Sequence, residues 1–478
     1  MNLVEPLPEP RLTGIRRAHF MAIDGAGMSP IAHLWRARGI AVDGCDRADS
    51  PVATELRRDG IAVAVGHDPA HLRGVDTVVV SSAIRESNSE LATARETGLR
   101  VWHRSAALAA LMSGHVGLAV SGTHGKSTTT AMIAAALRDA DCSYVLGATP
   151  AGGAPAYHDG ARGGVFVIEA DESDGSFLQY EPALVVLTNI ESDHLDRWGT
   201  PAAYADGFAR FAAGSTVRQL VVSADDPGTR RLARPDGAVV TTFGTSGDAD
   251  VRLGDIELSG WTAKASVAWP GGGARLELAV PGLHNLRDAA AAVAAAVALA
   301  RLNVPVDMRD VIDALRGYRG LARRFQLIGR AGGIAVVDDY AHHPTEVAAT
   351  IAAARAAAGP GRRVAVCFQP HLFSRTRDLH DEFGRALAQA DMVVVCDVYG
   401  AREDPIPGVT GELVASAVSR HGGTGSFVPD PGQAVSALGG WVSGGRLRPG
   451  DLIVLMGAGD ITSAGAPLLA LLRGPEDA

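Results

Sequence analysis

The chain has 478 residues, 47% of them hydrophobic and 20% charged, with a net charge of −9. That composition is ordinary for a globular protein, and the length makes room for about three domains, each able to bury a core. The acidic balance, with no basic block, argues against a nucleic-acid partner.

The N-terminus, MNLVEPLPEPRLTG, lacks the basic-then-apolar order of a signal peptide. A first segment, about 15–107, alternates strand and helix patterns, with short strands expected at His19–Ile23, Val42–Cys45 and Thr77–Ser81. Such βαβ alternation predicts a parallel, Rossmann-like sheet. Its Ile23-Asp24-Gly25-Ala26-Gly27-Met28-Ser29-Pro30 loop fails as GxGxxG and is a weak dinucleotide signal. A second segment, 108–320, opens with a phosphate-loop pattern and continues through buried strands at Val165–Glu169 and Leu184–Asn189. Between about 239 and 280 it turns strand-like and glycine-rich, predicting an antiparallel addition and so a mixed sheet. The longest apolar run, Ala289–Ala300, is too short to span a bilayer and reads as a buried helix. Gly317–Gly320 reads as a hinge. A third segment, 321–478, restarts the alternation, with parallel strands at Ile334–Val337, Arg363–Phe368, Met392–Cys396 and Asp451–Met456. Helices are expected at Pro344–Ala358, Leu379–Ala390 and Gly411–Ser419. Cys45, Cys142, Cys367 and Cys396 form no CxxC pair and read as buried thiols in a reducing cytosol.

The most informative stretch is Val116 to Thr129, where an apolar strand enters a glycine turn and then a helix. Gly122, Thr123, His124, Gly125, Lys126, Ser127 and Thr128 form a shortened phosphate loop, with Val120 where the longer pattern has its first glycine. Backbone N–H groups there cradle phosphates, Lys126 reaches the terminal ones, and the Ser127 hydroxyl is placed for Mg²⁺. Lysine is otherwise scarce, Lys264 being the only other one. Two acidic motifs end later strands. Glu169-Ala170-Asp171-Glu172-Ser173-Asp174 suits a metal beside phosphate, or else a solvated loop. Asn189-Ile190-Glu191-Ser192-Asp193-His194-Leu195-Asp196 suits a divalent ion, or else helix capping by Asp193. In the third segment, Asp338 to Glu346 and Gln369 to Arg377 end successive strands, so their polar groups could line one cleft. The His342-His343 pair lacks zinc spacing. Arg323-Arg324 could reach phosphates bound by the middle segment, or be a surface pair.

Taken together, these motifs resemble the Mur ligase family, from about His19 to the C-terminus. Gly122-Thr-His-Gly-Lys-Ser127, Glu169-Ala-Asp-Glu-Ser-Asp174, Asp193-His-Leu-Asp196, Asp338-Asp-Tyr-Ala-His-His-Pro-Thr-Glu346, Gln369-Pro-His371, Ser374-Arg-Thr376, Asp397-Val-Tyr-Gly400 and Met456-Gly-Ala-Gly-Asp460 carry the likeness. Ser173, and the lack of a lysine soon after His194, fit the alanine-adding branch. The resemblance implies an α/β protein of three domains: an N-terminal Rossmann-like domain for a UDP-sugar (1–107), a central P-loop ATPase-like domain with a mixed sheet for ATP (108–320), and a C-terminal Rossmann-like domain for the amino acid (321–478). It implies a cytoplasmic, ATP- and Mg²⁺-dependent ligase, monomer or homodimer, with no nucleic-acid or membrane partner. That enzyme joins L-alanine to the carboxylate of UDP-N-acetylmuramate through an acyl phosphate, in peptidoglycan synthesis. Carried over by motif, Lys126 handles phosphate, and Ser127, Glu169 and His194 hold metal. His284, Asn285 and Asp288 lie near adenine, Arg324 near the γ-phosphate, and Tyr340, His342, His371 and Arg375 on the acyl-phosphate side.

Four departures stand out. Ala22, Asp24 and Pro30 replace glycines of the first loop. A carboxylate at Asp24 facing a diphosphate would cost on the order of 1–4 kcal/mol at an effective dielectric of about 20 or more. Asp288 replaces an asparagine, and an aspartate cannot donate to an adenine ring nitrogen. Asp24 and Pro30 motivate an alternative, a divergent ligase of the same chemistry acting on another carboxylate. Trp198 for tyrosine and Ser127 for threonine are milder changes.

Overall fold

The computed structural model describes residues 3–401 and 403–473. Three sheets follow one another along the chain. The first contains β1 (Arg17–Met21), β2 (Ala41–Asp46), β3 (Ala62–Val65), β4 (Thr77–Val80) and β5 (Arg100–His103), in the order β3-β2-β1-β4-β5. All its pairs are parallel, as the βαβ alternation requires. β1 begins and ends two residues before the expected His19–Ile23. Ala22 adopts φ +60° and turns the chain out of the strand. Pro30 falls in the first turn of helix Ser29–Ala37, where its missing N–H breaks no helical hydrogen bond.

The central sheet contains β6 (Val116–Ser121), β7 (Ser143–Val145), β8 (Tyr157–His158), β9 (Val165–Glu169), β10 (Leu184–Leu187), β11 (Gln219–Ser223) and β12 (Val239–Gly244). Their order is β12-β11-β10-β6-β9-β7-β8. These pairs are parallel except the antiparallel β7–β8. β13 (Val251–Ser259) adds to β12 through Phe243 and Val251, followed by β14 (Thr262–Trp269) and β15 (Gly272–Leu278) at the edge. Two-residue links join these last three strands, a length that permits only an antiparallel meander. The sheet is therefore mixed. Helix Leu283–Arg301 follows, and its Ala289–Leu299 stretch, Val297 apart, is buried as the alanine-rich run predicts. Among the described residues no helix is long and apolar enough to cross a membrane.

The last sheet contains β16 (Gln326–Ala331), β17 (Ile334–Asp339), β18 (Val364–Phe368), β19 (Met392–Val395), β20 (Gly425–Phe427) and β21 (Leu452–Met456), ordered β16-β17-β21-β18-β19-β20. Only β16–β17 is antiparallel. The helix expected at Leu379–Ala390 runs instead from Phe373 to Leu387. Its N-cap, Leu372, has φ +71° and no polar cap, so the start carries no sequence signal.

The chain divides into two compact units: 1–254 with 267–274 and 287–315, and 255–266 with 275–286 and 316–478. In the first, one continuous core joins the β1–β5 layer to the central sheet through Trp35, Leu108, Leu111, Phe166 and Phe177. In the second, Phe368, Phe383, Val393 and Val454 pack one face of the last sheet, and Ala365, Val394, Leu455 and Leu468 the other. Burial on both faces explains the unbroken apolar runs of these strands.

Candidate active site

In the first unit, β6 delivers its chain into the turn Ser121–Gly125, and helix Lys126–Ala136 begins at once. Gly122 has φ +133°, and a Cβ there would lie 2.1 Å from Thr188 Oγ1, so only glycine fits. Gly125 has φ +79° and caps the helix with no side chain. The helix start thus has no side-chain cap, the arrangement in which backbone N–H groups can receive phosphate. His124 N–H donates to Asn189 Oδ1 (2.9 Å), and Thr123 Oγ1 donates to the Glu191 carbonyl (2.9 Å). These bonds tie the turn to the strand end after β10. Thr128 is buried in the helix's first turn.

Lys126 folds back over the turn. Its Nζ donates to the carbonyls of Gly122 (2.7 Å) and Thr123 (3.1 Å) and lies 2.7 Å from Glu172 Oε2. Glu172 is fully buried. Its other oxygen accepts from Tyr204 Oη (3.3 Å) and lies 4.0 Å from His194 Nε2. The Trp198 indole donates to the Glu172 carbonyl (2.9 Å), which gives this departure a role. Burial pushes Glu172 up to about 7, against the pull of Lys126. Burial also works against the Lys126 ammonium, but Glu172, Asp171 and Glu169 outweigh it and hold its pKa above the ordinary value. The surrounding carboxylates therefore favour the charged form of Lys126, while burial disfavours that of Glu172. Asp171 is only partly exposed, and Arg104 and Lys126 hold it well below the usual carboxylate range against the cost of desolvation. Arg104 Nη2 donates to Asp171 Oδ2 (2.8 Å).

The Ser127 hydroxyl donates to Glu169 Oε1 (3.1 Å), while Glu169 Oε2 is buried with no hydrogen-bond partner. A carboxylate oxygen left in that state is costly unless a cation meets it. With a hydroxyl beside it, this pair of oxygens fits a hard divalent ion such as Mg²⁺. His194 itself has φ +52° and serves as backbone N-cap of helix Leu195–Trp198. Asp193, considered above as that cap, instead accepts from the His194 N–H (2.7 Å). Asp288 lies against the phosphate loop. It accepts from Thr129 Oγ1 (3.0 Å), and a Cβ on Gly125 would come within 2.7 Å of it.

Asp24 is half-buried, and its Oδ1 is enclosed without a hydrogen-bond partner. Its carboxylate accepts from Ser50 Oγ (2.5 Å), the cap of helix Pro51–Arg58, and its N–H donates to Asp46 Oδ2 (3.1 Å). Burial, with Asp46 nearby, raises its pKa despite the Ser50 hydrogen bond.

In the second unit the ends of β17 and β18 gather the remaining motif residues. The guanidinium carbons of Arg323 and Arg324 lie 4.9 and 5.0 Å from the Tyr340 ring centre. Arg324 Nη1 is 3.9 Å from Glu346 Oε1, and the His342 N–H donates to Glu346 Oε2 (3.0 Å). The rings of His342 and His371 are 5.8 Å apart, and Arg375 Nη1 is 3.5 Å from His371 Nδ1. Arg323 also donates to the Gly457 carbonyl (2.6 Å), which ties this cleft to the Met456–Asp460 motif. Asn285 Nδ2 donates to the Pro281 carbonyl (2.6 Å) and sits beside His284 Nε2 (3.2 Å). Sequence reasoning passed over Glu172 and Arg104 as separate agents. Glu172 had a signal, its place three residues after Glu169 in an acidic motif.

Three family models match successive stretches: the Mur ligase family catalytic domain over 17–116, the Mur ligase middle domain over 120–296, and the Mur ligase glutamate ligase domain over 323–459. The chain is 50% identical over 480 residues to the UDP-N-acetylmuramate–L-alanine ligase of Cutibacterium acnes, covering 99% of this chain and 100% of that protein. It is 52% identical over 467 residues to that of Kineococcus radiotolerans, covering 95% and 96%. Among solved structures, the UDP-N-acetylmuramate-alanine ligase of Thermotoga maritima superposes with a TM-score of 0.78 at 28% identity, covering 95% and 98%. A murein peptide ligase of Psychrobacter arcticus shares the fold, with a TM-score of 0.69 at 24% identity over 96% and 99%.

Proposed function

Since this chain belongs to the Mur ligase family, we propose that it is an ATP-dependent ligase joining L-alanine to the carboxylate of UDP-N-acetylmuramate in peptidoglycan synthesis. The observation that carries the reading is the phosphate loop, with Lys126 held between two loop carbonyls and Glu172. The near-full-length identity to alanine-adding ligases supports the substrates.

A carboxylate and an ammonium ion do not condense at neutral pH. In our reading a carboxylate oxygen of the sugar attacks the γ-phosphorus of ATP, the bond to ADP breaks, and an acyl phosphate forms. The unprotonated amine of alanine then attacks the acyl carbon. Inorganic phosphate leaves from the tetrahedral adduct as the amide forms, and the amine's surplus proton passes to a base. The loop N–H groups and Lys126 bind and orient the phosphates, where positioned charge does most of the catalytic work. Glu172 holds the ammonium in place and keeps water from the buried side. Ser127, Glu169 and His194 would hold Mg²⁺, which when bound neutralises phosphate charge. We assign adenine contacts to His284 and Asn285, and loop support to Asp288. Arg324 is given the γ-phosphate, and Tyr340, His342, His371 and Arg375 the acyl-phosphate and amino-acid side. On this view residues 1–107 take the UDP-sugar, 108–320 ATP and 321–478 the amino acid, in a cytoplasmic enzyme. The near-full-length identity to alanine-adding ligases weighs against another carboxylate substrate.

The test is ATP-dependent phosphate release with product analysis, across a panel of UDP-sugars and amino acids. Turnover with UDP-N-acetylmuramate and L-alanine above all other pairs is the expected result. A preference for a different carboxylate would transfer the chain to the divergent branch.

A further inference from the structure

Away from the phosphate loop, five metal-ligating side chains meet inside the first sheet. His19 projects from β1, Cys45 from β2 and Glu90 from helix Ser89–Glu96; His67 and His71 lie on the link after β3. His19, Cys45 and Glu90 are at most 1% exposed. One ligand atom each from His19, Cys45, His71 and Glu90 lies within 4.8 Å of every other. His19 Nε2 is 3.0 Å from Glu90 Oε1 and 3.4 Å from Cys45 Sγ. His71 Nδ1 is 3.1 Å from Glu90 Oε1, and Cys45 Sγ is 3.2 Å from Glu90 Oε2. His67 Nδ1 adds contacts of 3.2 Å to both Cys45 Sγ and Glu90 Oε2.

A tetrahedral zinc with bonds of about 2.0–2.3 Å sets its ligands roughly 3.3–3.8 Å apart. The closest separations here fall just below or within that range. The surroundings of His19 supply a second argument. Its Nδ1 lies 2.5 Å from Asp43 Oδ1 while Nε2 meets Glu90 and Cys45. A metal on Nε2 would leave Nδ1–H to donate to Asp43, the carboxylate-behind-histidine arrangement of metal-bound histidines. Asp43 is itself held by Arg17 at 2.9 Å. Imidazole and thiolate select zinc, unlike the oxygen-rich pair at Ser127 and Glu169.

We propose that His19, Cys45, His71 and Glu90 form a zinc site, with His67 packed against the sulfur and Asp43 orienting His19. The site is structural. It fastens β1, β2, the link after β3 and helix Ser89–Glu96 together, directly beneath the first loop, whose Ile23 N–H donates to the Cys45 carbonyl (3.1 Å). Loading forms the metal bonds and releases the Cys45 thiol proton to solvent, with no change of oxidation state.

The full-length protein, purified from zinc-supplemented cells, is gel-filtered and its metal measured by mass spectrometry. A chelator-stripped sample is reloaded with Co²⁺ for absorption spectra, and Cys45 alkylation is timed with and without zinc. The proposal expects about one zinc per chain, a tetrahedral Co²⁺ spectrum with a thiolate charge-transfer band, and zinc protection of Cys45. Cys45→Ser and His71→Ala should lose the metal, and Asp43→Asn should weaken it about 10- to 100-fold. His158→Ala, on an exposed histidine outside the cluster, should retain it. If Cys45→Ser fails to fold, His71→Ala and the alkylation rates of the unmodified chain still decide. Folded protein that retains no zinc after exposure, or zinc retained equally in Cys45→Ser and His71→Ala, overturns the site.

Discussion

Replacing Lys126 with alanine separates chemistry from stability, because the same ammonium serves both. The Nζ contacts Glu172 Oε2 and the Gly122 carbonyl at 2.7 Å each. Removing it strips positive charge from the phosphate loop. Electrostatic terms of this kind are worth about 3–5 kcal/mol of barrier, a factor of roughly 150–5000 in turnover. The stability effect is smaller than breaking a fixed buried pair, which costs about 3–5 kcal/mol. Burial already lifts Glu172 to about 7, so the abandoned carboxylate takes a proton and keeps its bond to Tyr204. The remaining loss is that of the lysine's hydrogen bonds, about 1–2 kcal/mol. Adding Glu172→Gln should change the stability of that variant little and restore none of the activity. Phosphate release at saturating substrate, beside urea melts of the parent and both variants, measures both. Turnover within tenfold of the parent in folded Lys126→Ala refutes the loop assignment. Recovery of activity together with stability in the double variant would mean that the loss was structural.

Glu169→Gln should raise the Mg²⁺ concentration for half-maximal rate at least about tenfold, since it replaces an anionic oxygen at a hard-cation site. An unchanged Mg²⁺ titration removes Glu169 from the metal. Asp24→Gly should lower stability by about 0.5–1.5 kcal/mol through loss of the Ser50 hydrogen bond. Calorimetry should find any tightening of UDP-N-acetylmuramate below about 1 kcal/mol; a larger, salt-sensitive gain would place the carboxylate against the diphosphate. Asp339 is buried, and burial lifts it from 3.8 to about 6 against the Ala341 N–H and Arg324. The native state therefore holds the proton that the unfolded chain gives up. This contribution is complete below about pH 4 and lost as pH rises through about 6, on the order of 3 kcal/mol. Urea denaturation at pH 4.5 and 7 should show a shallower fall for Asp339→Asn, and an identical fall would exclude Asp339 as its source.

What the sequence revealed depended on how local each feature is. The phosphate loop is contiguous from Gly122 to Ser127, and its glycines are demanded by the backbone itself, so it was legible. The strand cores were legible because burial on both faces leaves apolar runs. Their ends were not. Ala22 leaves the strand by a left-handed φ, and Leu372 starts a helix without a polar cap. Glu172 was visible as part of a motif, but its partnership with Lys126 depends on the register between β6 and β9. The histidine–cysteine cluster lay outside reach, since its members come from four elements. Only the His67-x-x-x-His71 spacing hinted at it.

Lys126 is the only lysine in the first unit, and Lys264, the other in the chain, is paired with Glu277 at 2.9 Å in the second. For covalent chemistry this makes the enzyme close to a single-target protein. A nucleotide bearing an amine-reactive acyl group on its terminal phosphate has one ε-amine within reach of the loop. The mass of one peptide would then report whether the loop is filled, with little background from elsewhere in the chain. Any competitor for the nucleotide could be ranked by how well it shields that amine. In a lysine-rich relative the same measurement would be lost among its many other modified sites.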